Sequence, residues 1–167
     1  MPQAEALIAW RAETKIIRDS GYKNAAIYMK HAEVHKNGNP STHTSNNNAW
    51  AKDVLFNNGI IGNTWSQYRT WIIGNKKTLT VKGSYAFTSG DKKLSLQKVN
   101  YSYTFTRQAN GGLKITGTVT DTYDLAWSNY ENVIVAFAKN YAVHATEPSR
   151  LHLHKFSYVT KSDSIVF

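Results

Sequence analysis

Read as a string of apolar and polar positions, the chain starts with helical spacing, changes to alternation near its middle and changes back near its end. Across residues 4–18, Leu7, Ile8, Trp10, Ile16 and Ile17 recur at loose helical spacing among good helix formers, and Ser20 and Gly21 break the run. Ala25, Ala26, Ile27, Tyr28 and Met29 open a second helix, predicted to run to about Lys36. Residues 36–48, KNGNPSTHTSNNN, are polar and contain Pro and Gly, which predicts a loop. Asn48 then caps a third, short helix through Trp50, Val54, Leu55 and Phe56, stopped by Asn57, Asn58 and Gly59. Beyond Gly74 the apolar positions alternate. Leu79, Val81, Tyr85 and Phe87 make one run, Leu94, Leu96 and residues 99–105 a second, Leu113 and residues 115–119 a third. Gly90 with Asp91, and Asn110 with Gly111 and Gly112, are the turn residues between them, so these runs predict an antiparallel meander. Residues 129–143 return to helical spacing through Val133, Ile134, Phe137 and Tyr141, and residues 150–159 alternate again as a last strand. No repeat or linker interrupts this order. The expectation is one α+β domain over residues 1–167, with N-terminal helices on an antiparallel sheet and one more helix and strand at the end.

Composition narrows the partners. The 167 residues, 41% of them hydrophobic, suffice for one core without staples. Twenty Lys and Arg against eleven Asp and Glu give a formal charge of +9, so an extended partner is expected to be anionic: nucleic acid, an acidic membrane surface or a phosphorylated lipid. The lack of cysteine excludes disulfide scaffolds, thiolate zinc sites and thiol nucleophiles, and is compatible with export. No apolar run approaches the roughly 18 residues of a spanning helix. Glu5, Glu13 and Asp19 stand where a signal peptide needs an uncharged stretch, so the expectation is a soluble chain that, if exported, has no cleavable signal of its own.

Candidate chemistry is sparse. His31 and His35 lie one helical turn apart around Glu33, in the wrong order for a zinc-protease helix, and read as a solvated helix end where the dipole favours a cation. His152 and His154 alternate with Leu151 and Leu153, which puts both imidazoles on one strand face, either as plain surface or as ligands to a metal or phosphate. There is no Gly-rich phosphate loop, nucleophile elbow or paired Ser and His. The densest acidic group is TDTYD, residues 120–124, directly after the strand LKITGTV. Period two puts Asp121 and Tyr123 on one side, and Asp124 joins them if the chain bends after Tyr123. One reading is an Asx turn capping the next helix. The other uses the close carboxylates as base and acid, or as ligands to a hard cation such as Mg²⁺. Both readings require a buried, hydrogen-bonded Asp.

At Asp121, Tyr123 and Asp124 the sequence resembles the colicin M-like bacteriocins, whose catalytic domains carry a DxYD signature between a curved antiparallel sheet and a closing helix. The likeness extends over about residues 25–158. It includes NGGLKITGTV, the helix after the motif, and AKDVLFNNGIIGNT (residues 51–64), which looks like the family's helix and Gly-Ile-Gly type turn. The resemblance implies an antibacterial toxin domain: a hydrolase that cleaves the peptidoglycan precursor lipid II between its undecaprenyl chain and its pyrophosphate, with Asp121, Tyr123 and Asp124 catalytic. Six and seven residues after the second Asp the family has His and Arg, whereas this chain has Tyr130 and Glu131. His144, Arg150 and His152 are the candidates to replace them, a His protonating the leaving group, Arg150 holding the pyrophosphate by bidentate hydrogen bonds, and His152 binding substrate. The resemblance further implies a monomer acting at the membrane surface in the target cell's periplasm, countered by an immunity protein. The short chain and missing signal suit a domain of a larger secreted toxin, such as cargo of a contractile or type VI apparatus.

Two other classes use the same composition. With 21 aromatic residues, the chain also suits a nuclease toxin or RNA-binding module, in which cations neutralise phosphates and rings stack on bases, with steep salt dependence. Trp50, Trp65, Trp71 and Trp127 would suit a carbohydrate-binding module.

Overall fold

Residues 2–33, 40–123 and 156–166 are described by a computed structural model. The chain divides into two units, each assembled from three stretches: a helical unit of Met1–Ser41, Phe87–Gln97 and Thr122–Ser157, and a sheet unit of Thr42–Ala86, Lys98–Asp121 and Tyr158–Phe167.

In the helical unit, α1 (Pro2–Asp19) and α2 (Lys23–His31) follow the first two apolar runs. They bury Trp10 and Ile17 from α1 and Ala25, Ala26, Tyr28 and Met29 from α2. The Trp10 indole donates to the carbonyl of Met29 at 3.2 Å, so the bulkiest side chain of α1 keeps its polar atom satisfied. Gly21 ends α1 at φ +96°, a left-handed position that costs a glycine nothing. Helix α2 stops at His31, five residues earlier than the pattern predicts, and the His31 ring donates from Nε2 to the Ser41 carbonyl at 2.7 Å. Its N-terminus has no local cap, because Tyr22 offers none. Asp91, on the short helix α5 (Gly90–Ser95), caps it instead. One carboxylate oxygen accepts from the Asn24 backbone (3.0 Å) and side chain (2.9 Å), the other from the Ala25 backbone (2.7 Å).

The strands are β1 (His43–Asn46), β2 (Thr78–Ala86), β3 (Lys98–Arg107), β4 (Leu113–Tyr123) and β5 (Phe156–Val166), in the order β1-β5-β4-β3-β2, and all but the last two residues of β4 and the first two of β5 belong to the sheet unit. The meander is present in β2, β3 and β4, paired antiparallel from Ala86↔Lys98 to Thr78↔Thr106 and from Asn100↔Thr120 to Arg107↔Leu113. In the β3–β4 turn Asn110 accepts from the Gly112 amide at 3.0 Å and Gly111 takes φ +83°. On the inner face Val81, Val99, Tyr101, Tyr103, Phe105, Ile115 and Val119 are buried. Helix α3 (Ala49–Leu55), with Asn48 as its cap, contributes Ala51, Val54 and Leu55. A Cβ at Gly117 would lie 2.9 Å from both Leu55 and Tyr103, so the bare backbone there is what lets α3 lie against the strands.

Four expectations need correction. The sheet is mixed rather than antiparallel, because β1 pairs parallel with β5 from His43↔Tyr158 to Asn46↔Lys161. Strand β1 itself falls in the segment read as a loop. Gly90 and Asp91 begin α5 rather than a turn, and Leu94 belongs to that helix. Asn57, Asn58 and Gly59 stop α3 but also start α4 (Asn58–Ile72), where a Gly-Ile-Gly turn was expected; Asn57 caps it by accepting from the Gly59 amide at 2.9 Å. The last strand is present, shifted to 156–166, and the predicted helix 129–143 lies outside the described residues.

Candidate active site

Strand β4 carries the described part of the TDTYD group. Its burial alternates, with Ile115, Gly117, Val119 and Tyr123 buried and Asp121 half-buried in the same phase. Asp121 therefore shares a strand face with Tyr123, as period two requires. Asp121 is the first residue past Thr120, where the pairing of β4 with β3 ends. Tyr123 is 2% exposed, and within the helical unit its ring meets Tyr28 edge-on at 5.7 Å and 85°. That geometry suits two ring quadrupoles and fixes the phenol as a packed group, so any chemistry it supplies comes through its hydroxyl.

The remaining candidates, Asp124, Tyr130, Glu131, His144, Arg150 and His152, lie outside the described residues, as do His35 and His154. Among the described residues no three His, Asp or Glu gather closely enough to hold a metal ion. A Mg²⁺ site at this motif would take Asp121 from β4 and its second carboxylate from Asp124.

The opposite face of the meander is polar. A cleft of about 660 Å³ there is lined by Lys82, Ser84, Asn100, Ser102, Thr118 and Thr120. Thr118 and Thr120 alternate with Val119 and Asp121, so this cleft and the Asp121 carboxylate belong to different faces of β4. Nor is Tyr103 a candidate acid or base. Burial, with Tyr101 adding, pushes its phenol well above the ordinary range, and as a neutral group it donates to the Leu55 carbonyl.

The sequence reading missed a surface on α4. Ile61 and Trp65 are exposed there, beside Tyr68 and ahead of Ile73, Lys76 and Lys77. The signal was present in NGIIGNTWSQYRTWII, where apolar residues recur at 60, 61, 64, 65, 68, 71 and 72 once Thr64 is allowed on the buried side. No family model, curated protein or solved structure matches the chain.

Proposed function

We propose that the chain is the catalytic domain of an antibacterial toxin that hydrolyses lipid II between the undecaprenyl chain and the pyrophosphate. The observation that carries the reading is the end of β4: a half-buried carboxylate just past the pairing with β3, followed two residues later by a phenol seated against Tyr28. A group held on a strand needs little ordering when substrate binds, which is what positioned acid–base chemistry requires. The likeness to the DxYD signature supplies the reaction class.

In this reading Asp124 takes a proton from water, whose oxygen attacks the phosphorus that bears the lipid. The bond from phosphorus to the undecaprenyl oxygen breaks, and that oxygen leaves with a proton from His144. Asp121 and Tyr123 orient Asp124, while Arg150 and His152 bind the pyrophosphate. The products are undecaprenol and a pyrophosphorylated disaccharide peptide.

Incubating the purified chain with lipid II, with and without Mg²⁺, and separating the products tests this directly. Intact lipid II alongside degraded RNA or DNA would move the assignment to a nuclease toxin. Asp124→Asn should fold with an unchanged melting temperature and lose on the order of a hundred- to ten-thousand-fold in cleavage rate. Asp121→Asn and Tyr123→Phe should lose less, in the same direction. A fully active Asp124→Asn would sink the mechanism even with lipid II as substrate.

A further inference from the structure

Helix α4 carries two apolar stripes where a helix seated on a sheet needs one. Ile60, Thr64 and Trp71 are its buried residues. Ile61, Trp65, Tyr68 and Ile72 form a second stripe at spacings of four, three and four, rotated by roughly a quarter turn. Ile61 is 36% exposed, Trp65 53%, and Ile73, just past the helix, 86%.

This surface is held in place. Trp65 stacks on Tyr68 (5.5 Å, 22°), and Tyr68 packs on Phe105 at 5.4 Å. Arg107 fastens the helix end, its Nη2 donating to the carbonyls of Trp71, Ile72 and Gly74 at 3.0, 2.8 and 3.0 Å. Ile73 thus projects from a clamped terminus and not from a frayed one.

The charge beside the stripe has one sign. Between Asp53 and Asp91 the sequence has no acidic residue, but it has Arg69, Lys76, Lys77 and Lys82. The sheet unit as a whole carries nine Lys and Arg against three Asp. A cleft of about 820 Å³ between α4 and the edge strand β2 has Asn75, Lys76, Thr78 and Thr80 in its lining and no carboxylate.

We infer that α4 and the segment through Lys77 form a docking surface for an anionic lipid bilayer. The helix lies in the plane of the interface, Ile61 and Ile73 enter the acyl boundary, Trp65 and Tyr68 sit at headgroup level, and Lys76 and Lys77 meet lipid phosphates. No helix among the described residues is long and apolar enough to cross a membrane, which fits a surface-lying mode for α4. Nucleic acid would use the rings and cations but has no place for two exposed isoleucines. The inference goes beyond the lipid II reading, because it stands on this surface alone and holds for any anionic bilayer.

Flotation of the full chain with vesicles that lack lipid II tests it. Vesicles containing phosphatidylglycerol should carry the chain upward, and pure phosphatidylcholine vesicles should not. Replacing Lys76 and Lys77 together by Gln should weaken partitioning roughly thirty-fold, from about 1 kcal/mol per cation near the surface. Trp65→Ala combined with Ile73→Ser should weaken it at least about tenfold, and Ile73→Ser alone should weaken it in the same direction with the melting temperature unchanged, since Ile73 is 86% exposed. No flotation with the anionic vesicles, or equal flotation of wild type and variants, overturns the inference. So does nucleic-acid binding or self-association in place of flotation. Cleavage of lipid II in detergent micelles, measured in parallel, separates the two proposals: cleavage without vesicle binding removes only the docking surface, and vesicle binding without cleavage removes only the lipid II reading.

Discussion

Asp91 shows how one side chain can replace a missing local cap. The backbone N–H groups of Asn24 and Ala25 at the start of α2 and the Asn24 side chain converge on its carboxylate, and the Ala25 partner is 66 residues away in sequence. A carboxylate there also complements the positive end of the helix. Asp91→Ala should therefore lower stability by about 1–2 kcal/mol in urea unfolding, and Asp91→Asn by less, because one amide oxygen still accepts. Nothing near Asp91 in the sequence announces that partner, and Gly-Asp reads as a turn for good local reasons. Glu13 is the opposite case, a carboxyl 5% exposed on α1 whose burial pushes its pKa above the ordinary carboxylate value. An acid whose folded pKa exceeds its unfolded one contributes full stability below the unfolded value and loses it as pH rises through the folded value. Glu13→Gln should thus melt higher than wild type at pH 7 and match it below about pH 4, checked by thermal unfolding at both pH values.

At the level of elements, what was legible depended on whether the signal was local. Helix α1, the β2–β3–β4 meander and its Asn-Gly turn all follow from spacing and turn chemistry within a few residues. Strand β1 does not, because four polar residues become a strand only by pairing with β5, more than a hundred residues later. Helix α4 was hidden by Asn57 and Gly59, which stop one helix and start the next with no loop between them. The site was legible to the same degree: alternation gave the shared face of Asp121 and Tyr123, but not that Tyr123 would be packed against Tyr28. The far end of α4 depends on Arg107, which reaches two of its carbonyls and that of Gly74 just beyond it, and lies 4.6 Å over the Trp71 ring. Arg107→Ala should cost about 2 kcal/mol in urea unfolding, for the lost charge-assisted bonds to helix-end carbonyls. Arg107→Lys should recover little, since an ammonium has neither the planar fork nor the stacking face.

For the whole molecule, the proposed reaction makes compartment the sharpest observable. The scissile bond of lipid II lies at the membrane surface where peptidoglycan is polymerised, and the basic sheet unit is suited to approach that anionic surface from the same side. A nuclease of the same charge would find its substrate in the cytoplasm. Fusing a cleavable export signal to the chain should therefore lyse the producing cell, while expression without the signal should be tolerated. Cell density and release of a cytoplasmic marker read both arms. The exported Asp124→Asn variant supplies the control that charge alone cannot: it changes one unit of a +9 chain and leaves α4, Lys76 and Lys77 intact, so membrane disruption by a cationic amphipathic surface would persist in it. Lysis by wild type but not by this variant ties killing to the carboxylate. Lysis by both assigns killing to the α4 surface, and death without export assigns the chain to the nuclease class.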